Sequence, residues 1–237
     1  MRLKPLTLYS SKNLPGLNID DLTGWLFVIE GPDGSGRSTY IRILTDWLSA
    51  KGYATINVGL RRSTLVSAEI EKAKQGHTLD ERTFTLFYIT DFFDQLENIV
   101  IPNLKAGYVI LADRYIYTLI ARGAVRGLSS KWIEDICEIS IVPDIVFYLN
   151  VNQTILIERN LLKHTTFDFW ESGMDMELSV DIFQSFKKYQ SLIKREFKKM
   201  DKKYNFVNIN ANRSLNVVCN ELKRYIENCL DNNINKK

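Results

Sequence analysis

Leu26-Phe27-Val28-Ile29-Glu30-Gly31-Pro32-Asp33-Gly34-Ser35-Gly36-Arg37-Ser38-Thr39 joins an apolar run to a glycine-rich turn and then to a segment with helical spacing. The run is short and rich in branched and aromatic side chains, as a strand in the centre of a sheet requires. Gly34 and Gly36 let the backbone turn so that successive N–H groups point at one anion, and a helix beginning near Arg37 adds its positive end. This is the pattern of a phosphate cradle. A nucleoside triphosphate suits it, with the amides of Gly34 to Ser38 around the β-phosphate and the Ser38 hydroxyl on Mg2+. From Gly31 through Gly36 to Ser38 the spacing is that of G-x-x-x-x-G-K-[ST], with Arg37 where the lysine belongs. Arginine keeps the charge but presents a planar fork in place of a compact ammonium. The alternative is a tight strand-to-helix turn and nothing more.

Outward from this stretch, Tyr40, Ile41, Leu44, Trp47 and Leu48 fall at helical spacing, and Lys51-Gly52 supplies a stop. Residues 54–58 form a short strand. The turn Gly59-Leu60-Arg61-Arg62-Ser63-Thr64 then places two arginines where the strand would open onto a ligand crevice. They suit a second phosphate; the alternative is a solvated turn with Ser63 or Thr64 capping a helix over 65–75. Thr78 and Asp80 are the candidate caps of a long helix to Gly107, kinked at Pro102. Its aromatic stripe is core, interrupted by Tyr88 and Asp91, which could face a substrate.

Tyr108-Val109-Ile110-Leu111-Ala112 is apolar on both faces and ends in Asp113-Arg114-Tyr115. A carboxylate there holds Mg2+ in the manner of a Walker-B acid, with Arg114 beside it neutralising phosphoryl oxygens; an ordinary Asp-Arg turn is the alternative. Residues 144–149 give a fourth strand, 155–162 a helix bearing Arg159, and Phe206-Val207-Asn208-Ile209 a fifth strand. Residues 165–175 carry three aromatics without a period, as a mobile flap or a packed surface loop would. Phe183, Phe186, Ile193 and Phe197 mark a helix whose opposite, lysine-rich face is solvated, and a last helix spans 215–230. Five strands alternating with helices make a doubly wound α/β domain with a parallel sheet, its crevice at the strands' C-terminal ends.

At 237 residues, 45% of them hydrophobic and with only 12 Gly and 5 Pro, the chain is read as one ordered domain. It divides into an irregular leader over 1–24, the domain proper over 25–230, and a polar tail over 231–237. The 31 basic and 28 acidic residues leave +3, too near balance for a nucleic-acid polymer as partner. No apolar run reaches the length of a signal peptide core or a membrane span, so a cytoplasmic protein is expected. Cys137, Cys219 and Cys229 lack metal-ligand spacing and are read as reduced thiols.

At these motifs the chain resembles the thymidylate kinases, P-loop enzymes that pass a phosphoryl group from ATP to thymidine monophosphate. Glu30 to Thr39 is similar to E-G-x-D-G-S-G-K-S-T, Arg62-Ser63 to the P-E-R-[ST] turn, Asp113-Arg114-Tyr115 to D-R-Y, and Pro143-Asp144 with Tyr148-Leu149 to P-D-x-x-x-Y-L. The resemblance implies a three-layer P-loop fold, a five-stranded parallel sheet flanked by helices, and a lid segment. It implies catalysis by Arg37, Asp113 and Arg114, and Mg2+ on Ser38 and Asp113. ATP would be held by Gly31, Asp33, Gly34, Ser35, Gly36, Arg37, Ser38 and Thr39, with Arg159 and Lys163 adding charge near the lid around Glu171 and Gly173. The acceptor would meet Arg62, Ser63, Tyr88, Phe92, Arg114 and Arg122, with Asp33 on its sugar hydroxyl. Four positions depart from the family: Phe92 replaces an arginine, Arg61 a glutamate, and Arg122-Gly123 a Tyr-Gln pair. Thymidine monophosphate is the expected acceptor. A different monophosphate, or a nucleotide-binding regulatory protein on the same scaffold, is the alternative, and a homodimer is the expected assembly.

Overall fold

The computed structural model describes residues 6–10, 14, 16–76, 79–163 and 167–234, with only the backbone of Lys163 and of residues 232–234. In chain order the first half contains β1 (Trp25–Glu30), α1 (Arg37–Ala50), β2 (Thr55–Gly59), α2 (Ser67–Gly76), α3 (Glu81–Gln95) and α4 (Ile101–Lys105). The second half contains β3 (Val109–Asp113), α5 (Ile116–Val125), α6 (Ser130–Ile136), β4 (Ile145–Asn150), α7 (Gln153–Lys163), α8 (Ile182–Tyr204), β5 (Val207–Asn210) and α9 (Leu215–Ile234).

All five strands run parallel, in the order β2-β3-β1-β4-β5. Every residue of β1 and β3 is buried, because helices cover both faces of the sheet. Successive side chains of a strand point to opposite faces, so β1 feeds two cores at once. Leu26 and Val28 join Ile110 and Ala112 under α3, α5 and α8, while Phe27 and Ile29 join Val109 and Leu111 under α1 and α9. The result is the expected three-layer α/β sandwich. Asp144 Oδ2 accepts the Leu26 N–H at 2.9 Å, which ties the start of β1 to the approach to β4.

The long helix expected from residue 80 to Gly107 is three pieces. Asp80 caps α3 by accepting from Thr83 N at 2.7 Å, whereas Thr78 lies outside the described residues. Leu96–Val100 is a π turn in which Ile101 N reaches back to Leu96 O. The break precedes Pro102 because proline has no N–H to return to the turn before it, and the backbone widens there. Helices α5 and α6 fill the span between Arg114 and Pro143.

Among residues 6–24, Leu6, Leu8, Leu17 and Leu22 are buried. Leu8 bridges antiparallel to Ile141, and the Tyr9 hydroxyl is hydrogen-bonded to that of Tyr117 on α5, next to Tyr204 edge-on at 5.6 Å. The segment packs on the core.

Candidate active site

Between β1 and α1 the chain needs a turn that only glycine makes without strain. Gly34 and Gly36 have φ of 82° and 93°, and a Cβ on Gly34 would stand 2.5 Å from Asn160 Nδ2. Asn160 sits that close because its amide donates to Asp33 O at 3.1 Å, so α7 braces the loop. No motif marks this asparagine; it belongs to an amphipathic helix that sequence reading treats as packing. Arg159, its neighbour, donates to Ser35 O and Ala211 O, each at 3.4 Å. Gly34, Gly36, Arg37, Ser38 and Thr39 line a cleft of about 1080 Å3 at the C-terminal ends of the strands. Ser35 is fully buried inside the turn, and the Lys163 side chain lies outside the described residues.

Arg37 is folded back over its own loop. Its Nε donates to Asp113 Oδ1 at 2.7 Å, and Nη1 to the carbonyls of Gly31 and Pro32 at 2.5 and 2.6 Å. Nη2 stands 3.4 Å from Asp33 Oδ1. Asp113 accepts in addition from Ser38 Oγ at 3.1 Å and Arg62 Nη2 at 3.3 Å. Burial alone would raise the Asp113 carboxyl, but Arg37, Arg114 and Arg62 outweigh it and hold the group below its usual range. Among the described residues no cluster of three or more His, Cys, Asp or Glu side chains could hold a metal. Ser38 and Asp113 nevertheless supply two adjacent hard oxygens, and a magnesium ion that keeps water and phosphate oxygens as its other ligands fits that set.

Asp33 is the second acidic centre. It pairs with Arg114, with Arg122 at 3.3 Å, and with Arg37. Burial pushes its carboxyl up, and the three guanidiniums more than reverse this, holding it well below the ordinary carboxylate range. Arg114 can turn inward because its φ is 75°, a left-handed backbone at the end of β3. Beneath it lies Glu30, fully buried, accepting from Thr118 Oγ1 at 2.6 Å and Tyr115 N at 2.9 Å, its carboxyl raised by burial. Glu30 therefore sets the first turn of α5 against β1.

The loop after β2 is fixed from behind. Asp91, expected to face a substrate, is instead fully buried and accepts from Arg61 N at 2.7 Å and Ser63 N at 2.9 Å. Gln95 holds both polar groups of Gly59, donating to its carbonyl at 2.8 Å and accepting its N–H at 3.2 Å. Ser63 Oγ accepts from Leu65 N at 2.9 Å, a turn cap set away from the cleft. Arg61 pairs with Glu71 at 3.3 Å, leaving Arg62 to Asp113. Gln95→Leu should lower stability by about 3 kcal/mol in urea unfolding, because the Gly59 N–H and carbonyl lose their partner while buried. A loss under 1 kcal/mol would mean that water replaces the amide there.

Tyr88 lines the cleft, while Phe92, one turn on, packs edge-on against Tyr115 at a centroid distance of 5.0 Å and leaves the cleft wall. On α3, then, Tyr88 faces the cleft and Phe92 the core. Arg122 reaches the cleft from α5, and Gly123 beside it faces Ile133, whose Cδ1 would stand 2.3 Å from an added Cβ. Of the flap expected over 165–175, Thr165 and Thr166 lie outside the described residues, and the rest is a packed segment. Asp168 pairs with Lys74 at 2.9 Å, Trp170 Nε1 donates to Lys74 O at 3.1 Å, and Arg126 binds Asp175 and Trp170 O. Glu171 turns into the cleft 3.8 Å from Arg122, its carboxyl raised by burial and by Asp33.

A glycine turn at a helix start, an acid at the neighbouring strand end and converging arginines define a P-loop nucleotide-binding domain of the phosphotransferase kind. A family profile described as thymidylate kinase matches residues 29–222. A protein of Saccharolobus solfataricus named "Probable thymidylate kinase 2" is 32% identical over 214 residues, covering 90% of this chain and all of the relative. A thymidylate kinase of Caldicellulosiruptor saccharolyticus is 30% identical over 215 residues, covering 88% of this chain and 98% of that one. The chain belongs to the thymidylate kinase family.

Proposed function

We propose that the chain transfers the γ-phosphoryl group of ATP to thymidine monophosphate, giving the diphosphate. The observation that carries this reading is the convergence of the glycine loop, Asp113 and the arginines 62, 114 and 122 on one cleft that also presents Tyr88. Transfer between phosphates needs positioning and charge neutralisation more than covalent chemistry. Backbone amides of the loop from Gly34 to Ser38 take the triphosphate, with Arg159 at its flank. Ser38 and Asp113 would hold a magnesium ion, which would supply charge neutralisation to the triphosphate. Arg62 and Arg114 hold the acceptor phosphate, Tyr88 stacks on the base, and Asp33 takes a sugar hydroxyl. A site of this kind leaves Arg37 one task, to trade Asp113 and the loop carbonyls for phosphate oxygens.

The second reading, a nucleotide-binding regulatory protein, is motivated by Arg37 at the lysine position and Phe92 at the arginine position of the family's pattern. Turnover with thymidine, uridine, cytidine and purine monophosphates, followed by ADP release, decides between them. Thymidine monophosphate is the expected preferred acceptor, and ATP with Mg2+ should raise the melting temperature. No turnover with any acceptor sinks the kinase, and no thermal shift with millimolar ATP sinks both readings. Two further parts belong to the same proposal. Pairing of two copies would use the outer face of α3, where Leu86 is exposed beside half-buried Phe87 and Phe93. A cytoplasmic setting accords with the described helices, none of which is long and apolar enough to cross a membrane.

A further inference from the structure

The peptide group joining Asp33 to Gly34 is held from one side only. Its carbonyl accepts from Asn160 Nδ2 on α7 at 3.1 Å, and the second proton of that amide goes to Leu156 O, one turn back, at 2.8 Å. Both protons are committed, so the Asn160 side chain has one orientation. A trans peptide is planar, with its C=O and N–H pointing in opposite directions. With the carbonyl turned to α7, the Gly34 N–H is turned away from it, and among the described residues no protein group accepts that proton. Gly34 and Asn160 both line the cleft.

Glycine makes this orientation easy to lose. Gly34 tolerates either sign of φ, so ψ of Asp33 and φ of Gly34 can change together and turn the peptide over. The carbonyl would then face the cleft, where its oxygen repels a phosphate, and the loop would be one donor short. We propose that Asn160 is a positioning residue for the triphosphate, fixing the 33–34 peptide so that the Gly34 N–H stays available to a phosphate oxygen. The inference rests on the glycine loop as a triphosphate cradle and adds the side chain that sets one of its amides. The Asp33 carboxylate is pinned independently by Arg114, Arg122 and Arg37, so a contact to the acceptor there does not pass through Asn160.

The test compares the wild type with Asn160→Leu, Asn160→Ala and Asn160→Gln. Calorimetry gives Kd for ATP with Mg2+ and for thymidine monophosphate, turnover gives KM for each, and circular dichroism checks the fold. Asn160→Leu has nearly the same size and no donor. In it, Kd and KM for ATP should rise about tenfold, the worth of one hydrogen bond to a charged group. The values for thymidine monophosphate should stay within about twofold, since Asp33 keeps its own anchors. Asn160→Ala, which adds no bulk beside the loop, should show the same split if the leucine variant does not fold. Asn160→Gln keeps the amide on a longer arm and should recover part of the ATP affinity. An ATP Kd unchanged in the leucine and alanine variants overturns the proposal. So does a rise shared equally by ATP and thymidine monophosphate, the mark of a site that has merely loosened. Binding without turnover overturns only the kinase reading, since the split is then read from Kd. A wild-type protein that binds no ATP overturns the cradle and the proposal together.

Discussion

Asp113→Asn is expected to lower kcat by about a thousandfold with thymidine monophosphate, the loss that follows when a charged partner of the transferring group is made neutral. The carboxylate is the meeting point of Arg37, Ser38 and Arg62, and the guanidiniums of Arg37, Arg114 and Arg62 outweigh its burial and hold it below its usual range. An amide keeps the size and one acceptor oxygen, so the hydrogen bond from Arg37 survives and the fold should too. What disappears is the charge that balances Mg2+ and Arg37 around the triphosphate. The buried Arg37 retains Asp33 as counter-ion, which limits the loss of stability to about 2–3 kcal/mol. Circular dichroism and urea unfolding check the fold, and single-turnover kinetics check the step. Turnover within threefold of wild type would remove Asp113 from the chemistry.

The second large effect lies at Arg37. Its guanidinium ties Asp113, Asp33 and two loop carbonyls together, and in the kinase reading it then turns to the β- and γ-oxygens. Arg37→Ala should reduce the single-turnover rate about a hundredfold, the equivalent of about 3 kcal/mol of transition-state contact. It should also weaken ATP binding, because the loop loses the cation that closes it. Arg37→Lys restores the point charge and should match or exceed the wild type. In the regulatory reading wild-type turnover is negligible, and lysine restores a trace. Equal, substantial rates in wild type and Arg37→Ala would show that this side chain never leaves its resting partners for the phosphates.

Much of the fold was legible because its signals are local. The apolar runs of β1 and β3 and the glycine turn between β1 and α1 each specify one conformation within a few residues, and the alternation of strands with helices then implies the parallel sheet. The arginines and carboxylates at the strand ends were legible by the same route. What was not legible depends on contacts distant in sequence. Asp91 interrupts an apolar stripe as a substrate contact would, yet it serves backbone amides thirty and twenty-eight residues earlier. Phe92 lies one turn from Tyr88 but faces Tyr115, and only packing tells the two apart. Asn160 carries no motif at all and matters because Gly34 comes within its reach.

The attachment of the Arg62 loop to α3 has a further consequence. Asp91 and Gln95 grip that loop, and Tyr88 stands on the same helix, about 4.5 Å along the axis before Asp91. In the proposed reading, with Arg62 on the acceptor's phosphate and Tyr88 on its base, the two act as jaws of one caliper. The Gln95–Gly59 pair ties the loop to the helix at that point. In that reading a molecule one phosphoryl unit longer would overreach the jaws, so lengthening the acceptor would also loosen the hold on it. In Gln95→Leu, where the hinge of the caliper is cut, monophosphate and diphosphate should bind with more nearly equal Kd than they do in the wild type.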